Sequence, residues 1–112
     1  MVIEKYYIKE NSLIAKIAAW KLKSKRCAIV LGKTIHLTNT SKEEFLRDKR
    51  WLNHEMCHIQ QFKQYGFLKF IVLYLAESFK KGYANNRFEI EARKAETKLK
   101  TNPDLADNTN FR

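Results

Sequence analysis

Residues that turn a chain are scarce in this sequence. Three glycines and one proline in 112 residues are too few for a sandwich or barrel of many short strands, each of which needs its own turn. Helices must supply most of the structure, and the rare breakers mark where they end. Asn11 or Ser12 can cap a first helix, in which Leu13, Ile14, Ile17, Ala18 and Trp20 recur at helical spacing before the basic run Lys21 to Arg26. Cys27 to Leu31 and Thr34 to Thr38, rich in β-branched residues and joined by Gly32-Lys33, read as a hairpin. Ser41 with Glu44 three residues later is a capping-box pattern, and no Gly or Pro follows until Gly66. One long helix is therefore expected from about Lys42 to Tyr65. A further helix runs from Phe67 to Lys81 and stops at Gly82, and a last one from about Arg87 to Lys100. The expected fold is α+β and mostly helical, a single domain over 1–112 with its core in about 11–100 and a polar C-terminal tail, 101–112.

The charge balance limits the choice of partners. Lys and Arg outnumber Asp and Glu by 22 to 12, a formal charge of +10, so weak, salt-sensitive attraction to polyanions is expected. The cations are spread over several helices without aromatic interleaving, which argues against a specific nucleic-acid site. Two cysteines, Cys27 and Cys57, are too few for a disulfide framework and suit a reducing compartment. No secretory signal is readable, and the longest apolar run, Phe67 to Ala76, contains Lys69 and is too short for a transmembrane segment. A cytoplasmic protein is expected.

The chemistry is concentrated in His54-Glu55-Met56-Cys57-His58, an HExxH pattern. At about 100° per residue, the two histidines fall roughly 40° apart and one turn along a helix, so both imidazoles can reach one metal ion. Glu55 projects beside that ion, where it can take a proton from a water bound there. Phe45, Leu52, Met56 and Ile59 cluster on another side and anchor the helix to the core. Average residue usage produces such a motif by chance in roughly one chain of several hundred at this length, so a third ligand is needed to give it weight.

Three carboxylates compete for that position. The metzincin extension fails, because Gln61 and Gln64 stand where it needs Gly and His. Glu77 follows His58 with eighteen residues between, the spacing of the aminopeptidase-like branch. Glu89 follows with thirty between, in an E-x-x-A arrangement opening a helix, and Glu91 is its neighbour. Glu89 and Glu91 point to nearly opposite sides of a helix, so only one of them can bind. Glu89 also stands three residues after Asn86, where it can serve as a helix cap instead. Glu77 lies in a nearly all-apolar helix and needs a partner, a ligand histidine or a lysine. Cys57 reads as a small buried residue, His36 as an ordinary exposed histidine, and Tyr83 as a candidate hydrogen-bond donor to a tetrahedral oxyanion.

Taken together, His54 to Gln61, the preceding Gly32 to Thr38 strand and Phe88-Glu89-Ile90-Glu91-Ala92 resemble a minimal gluzincin. These are small soluble relatives of the catalytic domains of membrane-embedded, prenyl-peptidase-type metalloproteases. The resemblance covers about Cys27 to Leu99. It implies a zincin-like fold, Zn2+ held by His54, His58 and Glu89, and Glu55 as general base. It further implies hydrolysis of a peptide or protein substrate, which is expected to lie antiparallel along the Thr34 to Thr38 strand. The family often carries an aspartate directly after the E-x-x-A alanine to support a ligand histidine; here that residue is Arg93. Two rival readings stand beside this one. In the first, a latent zincin scaffold has its cleft filled by the tail with Asp104 and Asp107. In the second, a basic module binds nucleic acid or a membrane surface and the HExxH pattern is accidental.

Overall fold

In the computed structural model, which describes residues 6–97, the chain runs β1 (Tyr7–Lys9), α1 (Leu13–Leu22), β2 (Cys27–Leu31), β3 (Thr34–Thr38), α2 (Lys42–Arg47), α3 (Lys49–Tyr65), α4 (Phe67–Lys81) and α5 (Arg87–Ala95). The architecture is α+β and mostly helical, as expected. The hairpin and α4 have the bounds read from the sequence. The tail 101–112, with Asp104 and Asp107, lies outside the described residues.

Gly32 closes the hairpin at φ +64°, a conformation that costs an L side chain but not glycine. β2 pairs antiparallel with β3 from Cys27 opposite Thr38 to Leu31 opposite Thr34. A third strand, β1, adds parallel to the other side of β3, Tyr7 opposite Thr34. The order β1-β3-β2 makes β3 the centre of the sheet. An extended peptide therefore has no free edge on Thr34 to Thr38, and the expectation that substrate lies there is corrected: β2 is the edge strand on that side.

The single helix expected from Lys42 to Tyr65 is two helices. Asp48 breaks it, leaving the helical region at φ −88°, ψ 91° and accepting a hydrogen bond from Trp51 N at 3.1 Å to cap α3. An aspartate side chain competes with the helix for backbone N–H groups, so it can end one helix and start another without Gly or Pro. The capping box at the start of α2 forms, Ser41 Oγ receiving Glu44 N and Glu44 Oε1 receiving Ser41 N. The last helix stops at Ala95, earlier than Lys100.

Ile35 and Leu37 of β3, Phe45 of α2, Leu52 and Ile59 of α3, and Phe70 and Phe88 of the last two helices form the core. Met56 packs against it half-buried, so the anchoring face expected for the HExxH helix is present. α1 behaves differently. Its buried side is made of the small residues Ala15 and Ala19, while Leu13, Ile17 and Trp20 are exposed. The spacing that marks α1 as a helix does not mark the face it packs with.

Candidate metal centre

Two helices build the site. α3 carries His54 and His58 one turn apart, and α5 crosses it so that Glu89 meets both rings. His54 Nε2 lies 3.0 Å from Glu89 Oε1, and His58 Nε2 lies 3.2 Å from Glu89 Oε2. Each imidazole is held from behind. His54 Nδ1 donates to Glu96 Oε2 at 2.7 Å, and His58 Nδ1 donates to Gln61 Oε1 at 2.8 Å. Gln61 is oriented in turn by its Nε2, which donates to Phe88 O at 3.2 Å and to Glu91 Oε1 at 2.6 Å. Without a metal both Nε2–H groups donate to the carboxylate, and with Nδ1–H turned outward, loss of the Nε2 protons would free the lone pairs that metal-ligating histidines use.

The donor set fits a metal ion. His54, His58 and Glu89 offer atoms within 4.8 Å of one another. Ligands about 2.0 to 2.1 Å from a tetrahedral centre stand roughly 3.3 Å apart, a spacing that falls within that limit. Tyr74 of α4 donates its hydroxyl to Glu89 Oε2 and fixes the carboxylate from the third side.

The charges follow from this packing. Burial works against a charged Glu89, but hydrogen bonds from both histidines hold its carboxyl well below the usual carboxylate range. Burial also disfavours charge on His54, yet the hydrogen bond to Glu89 and the nearby Glu55 and Glu96 outweigh it and raise the ring to about 9. His58 is raised by the same balance. Glu55 is buried, and desolvation pushes its carboxyl up to about 7, partly countered by His58 and His54.

Beside these groups lies a cleft of about 300 Å3, walled by all five residues of β2, by α3 and by α4, with Glu55, His58, Tyr83 and Glu89 on its lining. Tyr83 comes from the α4–α5 connection, and burial with the neighbouring Glu89 and Glu55 carboxylates pushes its phenol up, keeping it protonated. The proton and hydrogen-bond donors of the site therefore share one opening with the edge of the sheet.

The other candidates fall elsewhere. Glu77 sits 3.6 Å from Lys81 Nζ and accepts from Arg87 N at 3.2 Å, so it satisfies a lysine and the start of α5 and stands apart from the histidine pair. Glu91 holds Gln61 and is not in the convergent set. Glu89 does not cap α5; Asn86 does, receiving Phe88 N at 2.8 Å, and Glu77 takes the neighbouring Arg87 N. Arg93 reaches Ala84 O, and the support expected from an aspartate at its position comes from Glu96, one helical turn further on. His36 is half-buried against Ser12 Oγ at 2.9 Å, not exposed, and Cys57 is half-buried beside Gln61.

Glu96, Gln61 and Tyr74 were not singled out in the sequence. Two had a readable signal: Gln61 is three residues after His58, and Glu96 seven after Glu89, both on the face already in use. Tyr74 had none, since its role depends on how α4 folds back. Compared with known protein families, with curated proteins and with solved structures, the chain gives no match.

Proposed function

We propose that the chain is a zinc metallopeptidase of minimal gluzincin type, a zincin-like hydrolase of peptide bonds in which His54, His58 and Glu89 hold Zn2+. The observation that carries this reading is the convergence of two Nε2 atoms on one carboxylate, with each Nδ1 fixed by an oxygen. When bound, zinc supplies Lewis-acid polarisation of a carbonyl oxygen and acidifies a water. Glu55 would serve there as the general base, accepting a proton and returning it to the departing amine. The Tyr83 phenol would donate a hydrogen bond to the substrate carbonyl oxygen. The edge of β2 offers backbone N–H and C=O groups to an extended peptide or protein substrate, taking the place first expected for β3. Two cysteines, too few for a disulfide framework, suit a reducing, cytoplasmic setting.

Metal analysis of the dialysed full chain tests the reading, with about one zinc per chain expected. Glu55→Gln should keep the metal and lose cleavage of an unfolded protein substrate, whereas His58→Ala should lose both. A folded chain without metal rejects the centre, and a Glu55→Gln variant as active as the parent rejects the mechanism. Metal retained with no hydrolysis by the parent would turn the reading to a binding scaffold.

A further inference from the structure

Two helices flanking the cleft turn apolar stripes outward. On α4, Leu68, Val72, Leu75 and Phe79 recur at helical spacing on the side opposite buried Phe70, and Phe79 is 92% exposed. On α1, Leu13, Ile17 and Trp20 do the same opposite buried Ala15, with Trp20 79% exposed. The α4 row reaches the cleft, where exposed Leu75 lines the wall, and exposed Leu22 lines it from the end of α1, on the side of Ala15. Soluble surfaces rarely present apolar side chains in such continuous rows, and rows rimmed by polar residues mark contact sites.

Charge selects the occupant. From Leu13 to Arg26 the chain has Lys16, Lys21, Lys23, Lys25 and Arg26 and no acidic residue, and Lys69 and Lys80 lie on α4. Apolar rows that include a tryptophan, bordered by lysines, are what a helix lying in the headgroup region of a membrane needs. A second copy suits them poorly, because a two-fold contact would set the same basic borders against each other. Nucleic acid would engage the cations and leave the apolar rows unused. No helix among the described residues is long and apolar enough to cross a membrane, so the contact is peripheral.

We propose that α1 and α4 together dock this protein on the surface of an anionic phospholipid bilayer, with the mouth of the cleft turned toward the lipid. The consequence for any substrate is proximity: chains held at that surface reach the cleft first. Docking needs no metal in the centre, and its test reads no catalysis.

The full chain is to be sedimented with vesicles of phosphatidylcholine alone and of phosphatidylcholine with phosphatidylglycerol. Binding to the anionic vesicles, weakened by salt, with a blue-shifted tryptophan emission that Trp20→Phe abolishes, is the expected result. Val72→Glu and Phe79→Glu together, with unchanged circular dichroism, should weaken partitioning roughly tenfold or more, since each removes a large apolar group from the lipid boundary. Absence of binding overturns the proposal. So does binding that leaves Trp20 emission and the double variant unaffected, which would be charge attraction alone. A solution dimer dispersed by the same substitutions overturns it in favour of self-association.

Discussion

Replacing Glu96 by Ala isolates the one support of the centre that the HExxH pattern does not announce. Glu96 Oε2 receives His54 Nδ1 at 2.7 Å, while its other oxygen meets Arg50 at 3.3 Å. Arg50 is 71% exposed, so losing that ion pair changes little. The effect therefore reports on His54. Removing such a partner typically weakens metal binding by roughly 10- to 100-fold. The Glu96 side chain is 23% exposed against 4% for Glu89, which places this contact in a wetter setting and the loss near the lower bound, about tenfold or about 1.4 kcal/mol. Zinc titration against a chromogenic chelator measures it, with thermal melting of the metal-free chains as the control for folding. Glu96→Gln should recover most of the loss, because an amide oxygen still accepts from Nδ1. Zinc affinity within twofold of the parent for Glu96→Ala would refute the argument that this carboxylate sets the imidazole.

Three further outcomes follow from the same geometry. Glu89→Ala should weaken zinc binding far more than Glu96→Ala, while Glu77→Ala should leave it unchanged in the same titration, because Glu77 is occupied by Lys81 and Arg87. In the metal-free chain, His54 rises from 6.5 to about 9 and Glu55 from 4.5 to about 7. Both folded values exceed the unfolded ones, so their stabilisation is complete below the unfolded pKa and is lost as pH climbs. Melting in chelator should therefore fall between about pH 6 and 9, and a flat or rising profile would refute it. Zinc affinity should move the opposite way over that range, since the ligands must shed protons to bind.

How much of this was legible depended on how local each signal was. The hairpin and α4 were readable because Gly32, Gly66 and Gly82 mark their ends in the sequence itself. The Asp48 break carries no Gly or Pro, since a capping side chain interrupts a helix by competing for its N–H groups. β1 was missed because three residues, Tyr7 to Lys9, are too few to show an alternation. Its absence from the sequence reading is why β3 looked like an edge. His54, His58 and Glu89 were readable from spacing and resemblance, and the structure brings them together. Glu96 was not, because the family pattern puts that support at position 93, where Arg93 turns instead to Ala84 O.

The contacts that draw α5 onto α3 have an implication for how the chain acquires its shape. α5 has nine residues, too few to hold a helix alone in water. Its anchors are long-range in sequence: Gln61 to Phe88, His58 to Glu89, His54 to Glu96. Both imidazoles are present as soon as α3 winds, but Glu89 and Glu96 arrive only after α4 has turned back and the loop between them has closed. Closing the centre therefore costs loop entropy across the thirty residues between His58 and Glu89, and a chain whose α5 is undocked carries both histidines with no third ligand beside them.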